Sequence, residues 1–399
     1  MRVSLLTETD QRGTYATSLL MYEKLKSRGV EVEFYTTFQS PYRVLPPPPK
    51  SRILGEESTM NTATYSNRIL DLISPERGSV LHLMNAWHGI IPLAERRGIR
   101  TVINVQYWWP TCYFNSMDRP DCDCMNFLKV SRCIAQRKGK LRGITSPAET
   151  LYALRKLRKI RSNLSEASAV IAVSRVVKEV LVERGVPEEK IRVMNVNALN
   201  FDIPYAPYEP GNGFTFAYLS YPDREKGVFQ LLEAFSLALK RNPGLNLKVL
   251  GGLESPQVVE TVERLGIKDR VKMTRRVPYV EYVKRLGEFL RDVDVVVVPS
   301  LYLDTWGRVV TESMLAGRAV VVTKGNGGLV EQVSDGVDGF HVNVYDLRDF
   351  SDSLYRISLM SQEEVRKMGE TARRNALIRF DNERLMNQLV ELYRSISGS

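Results

Sequence analysis

The sequence predicts an α/β protein built from two successive parallel domains. Strand-like and helical segments alternate along the chain of 399 residues, and the alternation restarts after an irregular stretch rich in Asn, Pro and Gly at 195–213. In the second series, the valine-rich run at 293–299 suits a strand that is buried on both faces of a parallel sheet. A chain of this length can build two cores of ordinary size.

The first domain is predicted to span 1–200. Its first strand leads into a helix through a turn that contains Gly13, and no GxGxxG pattern follows the strand. Four prolines at 46–49 place 39–51 in a surface loop. The predicted elements are strand Met1–Leu6, a helix to Ser27, strand Val30–Tyr35, helix Asn61–Ile73, strand Val80–Leu83, helix Ile90–Arg97, strand Thr101–Val105, helix Ser146–Ser165, strand Val170–Val173, a helix to Arg184 and strand Ile191–Asn195.

The second domain is predicted to span 201–376, and helices fill the chain after Asp346. The predicted elements before that point are strand Phe214–Ser220, helix Val228–Arg241, strand Leu247–Leu250, helix Pro256–Leu265, strand Val271–Thr274, helix Tyr279–Phe289, the strand at 293–299, helix Arg308–Leu315 and strand Ala319–Thr323.

An insertion at about 107–142 interrupts the alternation in the first domain and holds all four cysteines of the chain. Four thiols match the ligand count of a structural zinc or iron–sulfur site, which would stabilise an insertion that has few core residues. The Cys-x-Cys spacing is not that of a standard metal motif, so disulfides and free or redox-active thiols stay open as alternatives. The candidate ligands are Cys112, Cys122, Cys124 and Cys133.

Positive charge is concentrated in one segment of the first domain. Residues 129–161 contain eleven Lys and Arg against the single acid Glu149, which accounts for the whole net charge of +10. Its helix Ser146–Ser165 is basic and amphipathic, so its apolar side can pack on the sheet as an ordinary domain-edge helix while its charges face a membrane or an acceptor. We expect an anionic partner for 129–161: an anionic membrane surface first, with lipid pyrophosphate or acidic glycan as alternatives and nucleic acid as the least favoured.

Targeting signals are not evident in the sequence. No apolar run approaches the roughly 18 to 20 residues of a membrane span, and the first ten residues do not resemble a signal peptide. We therefore expect a cytoplasmic protein, with peripheral attachment to the inner membrane face as an extension of that expectation.

Candidate binding residues follow three predicted strands of the second domain. Ligands of open parallel sheets bind at the carboxyl ends of strands, where Asp304 follows the strand at 293–299 and Glu312 lies in the next helix. Both carboxylates can accept hydrogen bonds from sugar hydroxyls. After the next strand, a glycine-rich loop would offer free backbone N–H groups to a phosphate at a helix start. The glycines of that loop are Gly325, Gly327 and Gly328.

Two cations lie in the loop after the first strand of the same domain. Lys226 and Arg224 can stabilise charge that develops on a departing diphosphate. Together with the two carboxylates and the glycine loop, they predict a site for a nucleotide sugar.

Three of these motifs resemble one known family. Asp304-x7-Glu312, followed by GGLVE at 327–331, is similar to the E-x7-E and GGxPE signatures of the GT4 glycosyltransferases, and Lys226-Gly227 is similar to their KG pair. Asp304 stands where the family usually has Glu, and Gly13 keeps only one glycine of the family's opening Gly-Gly loop.

The resemblance implies the GT-B fold, in which two Rossmann-like parallel α/β domains face each other across a crevice. It also implies that the last helix, in 377–399, returns to the N-terminal domain. In this family the first acid binds the hydroxyls of the donor sugar, the second acid binds the ribose and the lysine binds the pyrophosphate. Asp304, Glu312 and Lys226 are the matching residues here.

The implied activity is transfer of a hexose, with retention, from UDP-hexose or GDP-hexose to a glycan or lipid-linked saccharide. No cofactor is expected for catalysis. The family often carries a His-Asp pair after the N-domain strand, but Gln106-Tyr107 stand there, so His88 near the end of the preceding strand is the catalytic candidate. A nucleotide-sugar epimerase of the same fold and a non-catalytic protein that binds sugar or nucleic acid are the alternatives.

Overall fold

The structure is a computed structural model that describes residues 1–7, 12–48, 60–117, 122, 124–138, 146–200, 202–220 and 222–398. The chain divides into two compact units, one formed by Met1–Leu199 with Asn382–Ser399 and the other by Asn200–Asp381. Each unit has its own parallel sheet, which confirms the predicted α/β class. The sequence placed the division after residue 200 and began the returning segment at 377.

Unit 1 contains a sheet of seven parallel strands over the described residues, in the order β3-β2-β1-β4-β5-β6-β7. These strands are β1 Arg2–Thr7, β2 Glu31–Thr36, β3 Arg43–Val44, β4 Val80–Met84, β5 Arg100–Val105, β6 Ala169–Ala172 and β7 Ile191–Val193. Its helices are α1 Arg12–Ser27, α2 Ala63–Ile73, α3 Ile91–Arg96, α4 Phe127–Lys138, α5 Ser146–Glu166 and α6 Arg175–Glu183.

Unit 2 contains a sheet of six parallel strands over the described residues, in the order β10-β9-β8-β11-β12-β13. These strands are β8 Phe214–Tyr218, β9 Leu245–Leu250, β10 Val271–Thr274, β11 Val295–Val298, β12 Ala319–Thr323 and β13 Gly339–Val342. The helices that follow or connect them are α7 Val228–Arg241, α8 Pro256–Arg264, α9 Tyr279–Leu290, α10 Arg308–Leu315, α11 Gly327–Val330, α12 Leu347–Ile357 and α13 Gln362–Arg379.

Strand order in both sheets reverses beside the first strand of the unit. The strands at each reversal are buried on both faces: β1 and β4 in unit 1, β8 and β11 in unit 2. In unit 2, Val295 pairs with Phe216 on one side and with Ala319 on the other. Loops that leave the carboxyl ends of neighbouring strands at such a reversal form the usual ligand crevice of open α/β sheets.

Two helices of unit 2 pack on or near its core and begin at capping residues. Apolar residues of α7 and α12 pack together over the sheet, with Phe235, Phe350 and Leu354 fully buried. Asp346 caps α12 by accepting hydrogen bonds from the N–H groups of Arg348 and Asp349. Ser361 and Glu364 form a capping box at the start of α13, so both helices begin at residues whose side chains satisfy their first N–H groups.

The segment predicted to be a surface loop at 39–51 contains an edge strand instead. Tyr35 and Thr36 pair with Arg43 and Val44, and the N–H of Leu45 donates to the carbonyl oxygen of Thr36 at 2.7 Å. The strand was missed because the four prolines at 46–49 predict irregular backbone. Leu45, which is buried at the end of the strand, lies directly before them. Residues 49–51 of the predicted loop lie outside the described residues.

One further difference concerns the insertion of unit 1, and the last helix also belongs to this unit. The insertion at 107–142 contains helix α4, which packs against α5, whereas no regular element was predicted there. The last helix, α14 at Asn382–Ser397, belongs to unit 1. Its Tyr393 is fully buried and shares a short hydrogen bond with Nδ1 of His82 on β4, and Arg28 forms an ion pair with Glu383.

No helix among the described residues has the length and apolar composition that a bilayer crossing requires.

Candidate functional site

Segments after three neighbouring strands of unit 2 hold most of the predicted site residues. Lys226 follows β8, Asp304 follows β11 and the glycine loop 325–328 follows β12. These strands are adjacent in the sheet order, and parallel strands end at the same edge. The fold therefore collects the three segments at one edge, as the sequence predicted.

Asp304 lies in a hydrogen-bonded cluster with one lysine and one tyrosine. Nζ of Lys226 is 3.1 Å from Oδ1 and 3.2 Å from Oδ2 of Asp304. The hydroxyl of Tyr302 donates to Oδ1 of Asp304 at 2.6 Å, and Nζ of Lys226 donates to the same hydroxyl oxygen at 2.6 Å. Asp304 is only 3% exposed, so its charge is balanced by a lysine rather than by water.

The electrostatics of the cluster favour the charged form of Lys226. Burial alone would lower its pKa, but the carboxylate of Asp304 and the Tyr302 oxygen raise the pKa above that of an ordinary lysine. Burial also raises the pKa of Tyr302, and Asp304 raises it further. At neutral pH the cluster thus contains an ammonium, a carboxylate and a neutral phenol, which is a set able to bind a diphosphate and sugar hydroxyls.

Gly227 brings the lysine turn close to the end of β11. Its φ is +74°, and a Cβ at this position would lie 2.0 Å from the carbonyl oxygen of Pro299. The N–H of Lys226 donates to Oδ1 of Asp223 at 2.8 Å and closes the turn. Only glycine satisfies both requirements, which explains the Lys-Gly pair in physical terms.

Asn326 holds the loop that carries Asp304. Its Nδ2 donates to the carbonyl oxygens of Ser300 and Tyr302 at 3.1 and 2.7 Å, and its Oδ1 accepts from the N–H of Asp304 at 2.8 Å. Asn326 is 2% exposed. A buried amide with three backbone bonds fixes the backbone from Ser300 to Asp304.

The prediction that the glycine loop offers free N–H groups is wrong for most of its residues. The N–H groups of residues 326–330 all donate to carbonyl oxygens of the chain, including Gly328 to Asp304 at 2.9 Å and Leu329 to Asn326 at 2.9 Å. A Cβ on Gly328 would lie 2.1 Å from the carbonyl oxygen of Thr305. Gly328 thus donates to the Asp304 loop, and the other N–H groups donate to carbonyl oxygens of residues 323–326 in their own turn, so these donors are not free for a phosphate.

Glu312 lies in a second cluster, in which α9 supplies two hydrogen-bond donors and its own helix α10 supplies an arginine. The hydroxyl of Tyr279 donates to Oε1 at 2.7 Å and the hydroxyl of Tyr282 donates to Oε2 at 3.1 Å. Nε of Arg308 is 3.7 Å from Oε1, and Nη2 of Arg308 donates to the Tyr279 oxygen. Glu312 is 3% exposed.

Burial raises the pKa of both tyrosines, and the carboxylate of Glu312 raises it further. Both phenols therefore remain donors at neutral pH. The pKa of Arg308 is also raised, because Tyr279 and Glu312 more than offset its burial. The Glu312 carboxylate is thus a hydrogen-bond acceptor held in place by two tyrosines, with the Arg308 guanidinium beside it.

Arg224 and His88 do not join either cluster. Arg224 is exposed, with its guanidinium 5.8 Å from the ring centre of Phe229. His88 belongs to unit 1, is 5% exposed, stacks on Trp109 and shares a 3.0 Å hydrogen bond with the amide of Asn163. Burial, with Lys156 and Lys159 nearby, lowers the pKa of His88 to about 3. So weak a base gives no support to the catalytic role predicted for it.

The predicted turn before α1 begins at Gln11, which lies outside the described residues. Gly13 falls in the first turn of α1, one residue after Arg12. Its role in donor binding stays a prediction.

None of the four cysteines is in a disulfide. Cys112 and Cys124 are buried, and the Cys124 thiol hydrogen-bonds with Cys112 and Cys122. The bond to Cys124 lowers the pKa of Cys112 and raises that of Cys124. Among the described residues, no group of three or more His, Cys, Asp or Glu could hold a metal ion. The structure gives no support to the zinc or iron–sulfur alternative.

Five residues of the candidate site escaped the sequence reasoning. Tyr302 and Asn326 each lie within two residues of a predicted site residue. No sequence pattern marks them, and only their contacts with Asp304 show that they belong to the site. Tyr279 and Tyr282 come from another βα unit, but their i, i+3 spacing could have shown that they share a helix face. The fifth is Arg308, four residues before Glu312 on α10 and hence on the same face.

The fold agrees with solved structures of one class. It matches Anabaena HepE in complex with UDP and glucose with a TM-score of 0.70 at 16% sequence identity, over 99% of this chain and 100% of that chain. Sucrose-phosphate synthase from Thermosynechococcus elongatus matches with a TM-score of 0.70 at 18% identity, over 99% of both chains. Two parallel sheets with these neighbours define the GT-B class of glycosyltransferase folds.

Family comparison then identifies the family. Residues 206–375 match Glycosyl transferases group 1, and residues 16–195 match Glycosyltransferase Family 4. The chain belongs to the GT4 glycosyltransferases.

Individual relatives match smaller parts of the chain. The D-inositol 3-phosphate glycosyltransferase of Saccharomonospora viridis is 30% identical over 195 residues, 46% of this chain and 43% of that protein. The capsular polysaccharide biosynthesis glycosyltransferase CapM of Staphylococcus aureus is 21% identical over 57% of this chain and 62% of that protein. The matching region thus spans less than two thirds of the length of these curated relatives.

Proposed function

We propose that the protein transfers a hexose, with retention of anomeric configuration, from UDP-hexose or GDP-hexose to a glycan or lipid-linked saccharide acceptor. The observation that carries the proposal is the Asp304–Lys226–Tyr302 cluster at the strand ends of unit 2. HepE, a protein of the same fold, binds UDP and glucose, and the GT4 family supplies the transferase class.

The proposed roles follow from the chemistry of each group. When the bond between the hexose and the diphosphate breaks, negative charge develops on the phosphate oxygens. Lys226, whose charged form is stabilised, offsets this charge in the transition state more than in the ground state. Asp304 accepts hydrogen bonds from sugar hydroxyls and keeps the lysine oriented. Glu312 binds the ribose. The departing phosphate assists deprotonation of the acceptor, so the mechanism requires no protein nucleophile and no cofactor.

The test is the product and its stereochemistry. Purified protein is incubated with UDP-glucose or GDP-mannose and a panel of saccharide acceptors, and the new linkage is analysed by NMR. The proposal expects free nucleoside diphosphate and a glycoside with the donor's anomeric configuration, in the presence of a chelator. An inverted product would overturn retention, and epimerised donor without acceptor would overturn transfer.

We also propose that residues 129–161 place the protein at an anionic membrane surface, where a lipid-linked acceptor would be found. Support comes from α4 and α5, which expose apolar and basic side chains together. Leu128 is 75% exposed and Leu151 is 48% exposed, and Arg155, Arg158 and Lys159 are exposed on α5. Lys140 and Arg142 of this segment lie outside the described residues. Apolar side chains beside cations are typical of interfacial helices.

Vesicle sedimentation tests this second proposal. Vesicles that contain phosphatidylglycerol should bind the wild-type protein, and the triple variant Arg155→Ser, Arg158→Ser, Lys159→Ser should bind at least about 10-fold more weakly, since each cation contributes roughly 1 kcal/mol. A matched variant removes three exposed cations of unit 2: Lys268→Ser, Arg270→Ser and Lys272→Ser. Equal binding by the two variants would refute the assignment of the surface.

A further inference from the structure

We propose that Tyr279 and Tyr282 are positioning residues. They orient the Glu312 carboxylate so that it accepts hydrogen bonds from the ribose 2′- and 3′-hydroxyls of the donor nucleotide. The inference rests on the proposed function, in which Glu312 binds the ribose, and deepens it by naming the two residues that hold the Glu312 carboxylate in position. It assigns to α9, which the family motifs do not include, a share in substrate selection.

The geometry gives each carboxylate oxygen of Glu312 one tyrosine donor. Tyr279 donates to Oε1 at 2.7 Å and Tyr282 donates to Oε2 at 3.1 Å. The two rings come from one turn of α9, with their centres 6.0 Å apart. Two phenols held by the same helix therefore fix the rotation of the carboxylate plane, which one donor alone would leave free.

Arg308 secures the first tyrosine. Its Nη2 donates to the Tyr279 oxygen, and its guanidinium carbon lies 5.0 Å from the centre of the Tyr279 ring. The Tyr279 oxygen accepts from the arginine, so its own proton points to Glu312. Arg308 is 3.7 Å from the same carboxylate oxygen, which offsets the cost of keeping a buried charge.

The hydrogen-bonding capacity that remains has the form of a diol site. A carboxylate has about four acceptor positions, two on each oxygen. Each tyrosine uses one position on its own oxygen, so each oxygen keeps one position for a further donor. Two adjacent hydroxyl donors fit two adjacent acceptor positions, whereas a 2′-deoxyribose would leave one buried acceptor without a donor.

Calorimetric titration tests the inference with UDP, GDP and their 2′-deoxy analogues. The wild-type protein is expected to bind one ribonucleotide at least about 10-fold more tightly than its deoxy form, as one lost hydrogen bond to a charged group predicts. In Tyr279→Phe/Tyr282→Phe the ratio of the affinity for the ribonucleotide to that for its deoxy form should fall below about 3-fold, since the Glu312 carboxylate is no longer held in one orientation. Tyr355→Phe, on a ring that packs against Arg241 in the same unit, should keep the wild-type ratio.

A ratio is the useful readout, because a purely structural loss would weaken both nucleotides equally and leave the ratio unchanged. That outcome overturns the inference. Glu312→Gln keeps the shape of the side chain, and adding the two Phe substitutions to it should lower the ratio no further. If wild-type protein binds both forms equally, this inference and the ribose role of Glu312 fail, while the proposed transfer of a hexose stands. If it binds none of the nucleotides, the proposed function itself fails.

Discussion

At the residue scale, we expect activity to depend most on the pairing of Asp304 with Lys226. Asp304→Asn keeps the size of the side chain but removes the charge that balances the partly buried ammonium of Lys226. We expect the rate of donor-dependent transfer to fall roughly 100- to 1,000-fold, as when one preorganised electrostatic group is lost. The measurement is release of nucleoside diphosphate at saturating acceptor.

A matched control is Asp352→Asn, which removes a carboxylate that pairs with Arg241 on the surface of the same unit. Exposed ion pairs contribute roughly 0 to 1 kcal/mol, so this variant should keep full activity. Comparable losses in both variants would show that the effect is one of general charge, and the assigned role of Asp304 would fail.

At the element scale, close approach of β-strand ends and turns shapes the site, and glycines permit it. Gly227 and Gly325 both have φ near +70°, but a Cβ on Gly227 would meet the Pro299 carbonyl oxygen at 2.0 Å while a Cβ on Gly325 would meet nothing within 4 Å. Gly325→Ala should therefore lower the free energy of unfolding by only about 1 to 2 kcal/mol, which is the cost of placing a residue with a Cβ in the left-handed backbone conformation.

Gly227→Ala adds the steric clash, so the free energy of unfolding should fall by about 2 to 5 kcal/mol. Urea unfolding followed by tryptophan fluorescence, to which Trp306 contributes the signal of unit 2, measures both variants. Equal costs would mean that the turn moves away from Pro299 at little expense, and the close approach would not be a requirement of the fold.

Sequence patterns predicted the elements better than their contacts. Apolar runs and alternation gave both sheets, and the carboxyl-end rule placed Asp304 and Lys226 at one edge, because these depend on local periodicity and on the topology of parallel strands. The partners of Glu312 could not be predicted in the same way, since Tyr279 and Tyr282 reach it from a separate βα unit. The N–H groups of the glycine loop were assigned wrongly because sequence does not show which carbonyl groups approach them.

At the scale of the whole molecule, two buried histidines make unit 1 sensitive to acid. Burial lowers the pKa of His82 to about 4 and that of His88 to about 3, whereas an unfolded chain protonates histidine near 6.5. Between these values the unfolded state binds more protons, so stability is lost as the pH falls below about 6.5. The expected loss is roughly 2 kcal/mol per histidine between pH 6.5 and 5.

Unfolding followed by the tryptophans at 87, 108 and 109, all in unit 1, should show this pH dependence. His88→Gln retains a side chain that can bond with Asn163 and removes one titrating group. Its stability should fall about half as steeply with pH as that of the wild-type protein. An unchanged slope would mean that other groups cause the loss.

The central claim is that unit 2 binds a nucleotide-sugar donor, and thermal stabilisation tests it most directly. The protein is heated with UDP, GDP, ADP and the corresponding nucleotide sugars, and Asp304→Asn is heated beside it. We expect UDP or GDP, with its sugar, to raise the melting temperature of the wild-type protein, and Asp304→Asn to lose the additional shift caused by the sugar. No shift with any nucleotide at millimolar concentration would contradict the account.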